Sequence, residues 1–186
     1  MDKFTRELLF AFLFGVGVII FSNVAFAAVG EIGKVKGSGA IERGTQEIPA
    51  TDGVGIKMQD TAVTANGKIQ IDFLDDTRVD ITEHSRLLID EFVYDPANDI
   101  GSLSIKASLG TVRYASGQIA KKYQQNVKIR TPSATIAVRG TDFIMVVDEV
   151  GGSMITLLPS CDEDMNCYTG EIPVSYTHLR AHETEL

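Results

Sequence analysis

From Gly67 onward, apolar and polar residues alternate with a period of two. Ile69, Ile71 and Phe73 alternate with Lys68, Gln70 and Asp72, and Val79 and Ile81 with Arg78 and Asp80. Leu87 and Ile89 resume the pattern. Leu103, Ile105, Ala107 and Leu109 continue it, followed by Val112 and Tyr114. Val127, Ile129, Ile136, Val138, Phe143–Val147 and Met154–Leu158 complete the series. Alternation at this spacing turns one face of each strand to a core and the other to water. Leu74-Asp75-Asp76-Thr77 and Asp95–Gly101 have the composition of turns. No long stretch combines a 3.6-residue period with caps; Glu83–Arg86 fits one helical turn, and Ala115–Gln124 a short helix or loop. The pattern predicts an all-β domain of short strands, in a sandwich, a barrel or a solenoid. Ala28–Thr61 is less regular, and residues 28–52 are expected to form a lead-in segment with an edge strand.

The N-terminus follows a different grammar. Met1–Glu7 is short and polar, Leu8–Phe21 carries no charge, and Ser22–Ala27 ends in Ala25-Phe26-Ala27, with small residues where a signal peptidase accepts them. The apolar run falls short of the roughly 20 residues that span a bilayer, and Gly15 and Gly17 loosen it. Residues 1–27 are therefore expected to be a secretory signal rather than an uncleaved anchor. The mature chain would work in the periplasm or outside the cell, and would meet the membrane only during export.

Composition narrows the function classes. Of 186 residues, 17 are Lys or Arg and 25 are Asp or Glu, giving a net charge of −8. An acidic chain has no general pull on phosphate backbones, so nucleic acid is not an expected partner. Its charge is not dense enough for a disordered chain, and its length suits one domain with an appendage. No Ser/His/Asp order or selected carboxylate pair presents itself, so no enzyme activity, cofactor or metal is expected. Asp72, Asp75, Asp76 and Asp80 are expected to lie along one wet face of a strand turn. His84 stands alone in a polar turn.

Cys161 and Cys167 are the only cysteines, spaced CDEDMNC. In an oxidising compartment a close pair favours a disulfide, here closing a hairpin loop over 160–173. A zinc site would want nearby His, and a redox motif would want two intervening residues. Asp162, Asp164 and Asn166 resemble the start of a calcium loop, but Cys167 stands where glycine belongs and Pro173 where the bidentate Glu belongs.

Three segments carry a family resemblance: GKIQIDFLDDTRVDI (67–81), LSIKASLGTVR (103–113) and VKIRTPSATIAVRGTDFIMVV (127–147). Together they resemble the FecR domain of bacterial envelope proteins, here expected over 53–159. The resemblance implies a β-solenoid-like stack of short strands. It singles out Thr131, Pro132, Arg139, Gly140, Thr141 and Asp142 as family-motif residues. Thr131-Pro132 suits a rung corner, because proline cannot donate to a ladder. Arg139 and Asp142 are expected to form a surface ion pair or to hold a corner, with a role in a partner surface as the rival reading.

Founding members of the family are transmembrane regulators that join a sigma-factor-directed cytoplasmic segment to a periplasmic region. Here only seven residues precede the apolar run, which is too few for such a segment. The expected role is thus an exported binding or scaffold module whose partner is an envelope protein or a glycan. The alternative is a periplasmic component of a transmembrane signalling pathway. A glycan binder would show exposed aromatics, for which Tyr94, Tyr114 and Tyr123 are candidates. Val174–Leu186, with His178 and His182 four apart, breaks the strand pattern and is similar to translated sequencing-adaptor sequence. It is expected to be disordered or locally helical, with the natural chain continuing past Pro173.

Overall fold

The computed structural model describes residues 27–123, 125–161, 167–168 and 172–176. The strands are β1 (Ala28–Arg43), β2 (Gln46–Pro49), β3 (Gly55–Lys57), β4 (Thr61–Phe73), β5 (Arg78–Ile81), β6 (Arg86–Asp95) and β7 (Ile100–Ala115), followed by β8 (Val127–Arg130), β9 (Ala134–Ala137), β10 (Asp142–Val147), β11 (Ser153–Leu158), β12 (Ser160–Cys161), β13 (Cys167–Tyr168) and β14 (Val174–Tyr176). One short helix, α1 (Gln118–Lys122), falls inside the segment expected to be a helix or loop. The all-β expectation holds, and no helix among the described residues is long and apolar enough to cross a membrane.

The inward residues of the alternating pattern meet in one core. Ile69, Ile71, Val79, Ile81, Leu87, Ile89, Ile105, Val112, Val127, Ile129, Ile136 and Phe143 are fully or almost fully buried. Phe73 stacks on Phe92 with ring centroids 5.5 Å apart, and Tyr114 on Phe143 at 5.3 Å. The sheet rolls around this core as a small barrel.

The strands are longer than the pattern suggests because they bend. β5 and β6 lie end to end along β4, from Asp72↔Arg78 to Thr61↔Leu88. They lie end to end along β7 as well, from Arg78↔Ala115 to Asp95↔Ile100. Residues 78–95 thus run as one strand interrupted at 82–85. Across this crease the inward set changes parity. In β4 it passes from Ala62 and Thr64 to Ile69, Ile71 and Phe73, and in β7 from odd positions through Ala107 to Val112 and Tyr114. An extra residue in a ladder bends the strand and re-aims its side chains.

Polar side chains hold the crease. Ser85 N donates to Thr64 Oγ1 at 2.9 Å, the Thr64 hydroxyl donates to Thr82 O, and Thr111 N donates to Ser85 Oγ at 3.0 Å. Gly110 turns there at φ +90°, and a Cβ on it would overlap Ser85. Glu83–Arg86, which fits a helical turn by composition, instead makes this corner, with His84 at φ 52°.

Within residues 28–52, β1 pairs β4 along one side and β2 and β3 only at its two ends on the other, and β2 stands at the end of the sheet order. Two expectations are corrected. The ladders do not form parallel solenoid rungs, since every pairing among the described residues is antiparallel except β7 with β8. Val174–Tyr176 is neither disordered nor helical but pairs antiparallel with Ala134–Ile136 of β9, and Val174 packs on the core. The expected signal segment before Ala27, the acidic loop 162–166, and His178 and His182 lie outside the described residues.

Candidate functional site

The first and last motif segments converge on a buried polar junction, together with residues 114–119 that follow the middle one. Asp75, in the β4–β5 turn, is fully buried. Its carboxylate accepts hydrogen bonds from Thr77 N (3.2 Å), Thr77 Oγ1 (2.8 Å) and Ile119 N (3.1 Å), while its backbone oxygen accepts from Gln118 N at 2.7 Å. One carboxylate therefore ties the hairpin turn to the first turn of α1, where exposed backbone donors favour an anion. Between them passes Gly117, where a Cβ would meet Thr77 N and Asp75 O well inside van der Waals distance. Only glycine permits that approach.

The last motif segment closes the junction from the other side. Asp142 Oδ1 accepts from Ser116 N at 2.9 Å, and Ser116 Oγ donates to Thr141 O at 3.0 Å. Tyr114 lies beneath, with no exposed surface. Burial pushes its phenol well above the ordinary 10; Thr77 and Ser116 oppose the rise, and Asp75 and Asp142 add to it. Tyr114 Oη and Thr141 Oγ1 are buried without a hydrogen-bond partner.

The remaining motif residues serve turns. Thr131 N donates to Ala134 O at 2.9 Å, Ala134 N donates to Thr131 Oγ1 at 3.0 Å, and Ser153 Oγ donates to Thr131 Oγ1 at 2.7 Å. The Thr131-Pro132 corner is real, but it joins the antiparallel β8–β9 hairpin to β11. Gly140 turns at φ +68°, where a Cβ would make only ordinary contacts with Ala120 and Lys121 at 3.9 Å. Arg139 is exposed, and no ion pair joins it to Asp142, whose carboxylate is engaged by Ser116. Cys161 and Cys167 sit opposite each other in the β12–β13 pair.

On the outer face, a cleft of about 370 Å³ crosses β1, β4, β5, β7 and β10. Lys34, Lys36, Lys68 and Arg113 provide cations, Asp80 the one carboxylate, and Ile144 apolar surface, with the core residue Ile69 at the floor. Arg113 approaches Asp80 at 3.9 Å. Among the described residues, Lys34, Lys36 and Lys68 make no ion pair. No group of three or more His, Cys, Asp and Glu among the described residues could hold a metal.

A FecR protein family profile matches residues 59–159, more than half of the chain. The chain belongs to the FecR protein family. No curated protein and no solved structure matches it. In this FecR protein, sequence reasoning located Thr141 and Asp142 but not their partners. Asp75 is not on a wet face, because its turn folds inward over α1. Tyr114 is not an exposed aromatic, and Tyr94 and Tyr123 are half-buried at the β6–β7 hairpin end. The signal for Asp75 lay in the sequence: a DDT turn and a YASG segment are what a carboxylate and a close-approach glycine would need.

Proposed function

We propose that this FecR protein is an exported, non-catalytic binding or scaffold module of the bacterial cell envelope, working in the periplasm or outside the cell. One observation carries the reading: the motif residues direct their polar groups to the chain's own backbone. Asp75, Ser116 and Asp142 lock a turn to a helix and a strand, and Thr131 locks a hairpin. A buried carboxylate engaged by backbone donors is poorly placed to exchange protons with a substrate. What remains for a partner, an envelope protein or a glycan, is the outer surface. A Cys161–Cys167 disulfide fits the same reading, since the strand register sets the two residues opposite each other.

The test is in-cell. The full chain, expressed in a Gram-negative host, should be recovered from the periplasm or medium with an N-terminus at Ala28. Photo-crosslinking from positions on its outer face should yield a discrete adduct. Cytoplasmic retention, or hydrolytic activity abolished by a folded motif variant, would overturn the proposal.

Family membership favours a second reading, a periplasmic component of a transmembrane signalling pathway that controls a sigma factor. Deleting the gene should then change transcription from a sigma-factor-dependent promoter, whereas an unchanged profile would leave the scaffold reading alone.

A further inference from the structure

The cationic cleft is out of character with an acidic chain. Net charge is −8, yet one cleft gathers Lys34, Lys36, Lys68 and Arg113 around a single carboxylate, Asp80. Elsewhere several cations have a carboxylate partner: Lys106 and Arg130 share Asp90, Arg78 meets Asp72, Arg86 meets Glu42 and Lys122 meets Asp99, while Lys57, Lys121, Lys128 and Arg139, unpaired among the described residues, lie outside the cleft. Lys34, Lys36 and Lys68 lack such partners among the described residues. They are held close by the ladder, with Lys36 directly opposite Lys68 and Lys34 opposite Gln70. Like charges set across from each other on one face repel, which costs folding energy that a bound anion would recover.

We propose that this cleft docks an acidic peptide segment of a partner protein. The proposal rests on the binding-module reading and gives that module its partner's chemistry. Charge selects an anion, and the dimensions select more than a single ion. The cleft spans the steps from β1 through β4 and β5 to β7, about 14 Å at ordinary strand spacing. Its volume of about 370 Å³ lies in the range of sites that hold extended ligands rather than one phosphate. The lining selects a peptide over an acidic sugar. It has the half-buried Ile144 and lysine stems to receive aliphatic side chains, and no aromatic ring for a sugar face to cover. The lysines reach out as mobile point charges, which suits carboxylates spaced along a chain.

The test uses the purified full chain and a fluorescein-labelled peptide of alternating Glu and Leu, read by fluorescence anisotropy. The wild-type chain should bind it, and binding should weaken steeply as salt rises from low to several hundred millimolar. The Lys34→Ser/Lys36→Ser/Lys68→Ser variant should bind at least about tenfold more weakly, with a melting temperature no lower than that of wild type. A Lys121→Ser/Lys128→Ser/Arg139→Ser variant carries the same change in net charge away from the cleft and should bind like wild type. A peptide of alternating Gln and Leu should bind no better than the cleft variant binds the acidic one. Equal weakening in both triple variants, binding that survives in the cleft variant, or tighter binding of hexagalacturonate than of the acidic peptide would overturn the assignment. Any of these can occur while the in-cell adduct persists, so failure of the cleft is distinguishable from failure of the module.

Discussion

Asp75 shows how far one side chain organises this protein. Removing its carboxylate would strand Thr77 N, Thr77 Oγ1 and Ile119 N in a buried site. Each orphaned buried donor costs about 1–3 kcal/mol, so Asp75→Ala should lower unfolding stability by roughly 3 kcal/mol or more in urea titration. A loss within experimental error would mean that the junction does not hold the fold. Tyr114 gives the opposite case. Its hydroxyl is buried without a partner while its ring stacks on Phe143. Tyr114→Phe keeps the ring and removes the orphan, so stability should be unchanged or rise by up to about 1 kcal/mol. A drop of that size would reveal a bond the geometry does not contain.

At the scale of elements, two features set how the sheet is held. The first is Asp90 on β6, which accepts from Lys106 Nζ at 2.8 Å on β7 and from Arg130 Nη1 at 3.1 Å on β8. The Lys106 hydrogen bond, against some desolvation and with help from Ser104 and Arg130, holds the carboxyl below its ordinary 3.8. A group whose folded pKa is depressed adds stability that is fully present above the unfolded value. That stability is lost as pH falls through the folded value. Wild type should therefore lose stability as pH drops below 3.8, and Asp90→Asn should show a shallower acid limb there and be less stable at neutral pH. The effect should be modest, about 1 kcal/mol or less, because the three side chains are partly exposed. Identical acid limbs would remove Asp90 from the account. The second feature is the crease. Gly110→Ala would place a side chain at φ +90° and against Ser85, so a loss of roughly 2 kcal/mol or more is expected in thermal or urea unfolding.

The crease also explains what the sequence could and could not reveal. Period-two alternation identified the inward residues, from Ile69 to Met145 and Val147, because burial acts on each side chain separately. It could not reveal that residues 78–95 form one bent strand. The parity change at the crease reads as an end followed by a beginning. Nor does alternation carry strand direction: an inward Ile129 looks the same in a parallel rung and in a hairpin, so the solenoid expected from the resemblance had no check until the ladders were seen. Residues 28–52 looked peripheral because their glycines dilute the pattern, yet β1 pairs along β4 for most of its length. Candidate chemistry was legible in the same partial way. Thr131 and Asp142 were found through the motif, whereas Asp75 and Tyr114 resembled surface residues until the turn was folded over α1.

For the molecule as a whole, the central claim is that the FecR motif is an internal lock and that recognition belongs to the outer face. Hydrogen–deuterium exchange on the full exported chain tests this most directly. Amides whose only route to solvent is global unfolding exchange at the slowest rates in the protein, whereas ligand-binding loops open locally and exchange early. The account predicts that the Thr77, Ser116 and Ile119 amides, bonded to Asp75 and Asp142, exchange with the slow core set of β4 and β7. Exchange of these three amides within seconds, while the core strands remain protected, would mean that the junction opens in the folded protein and would contradict the claim.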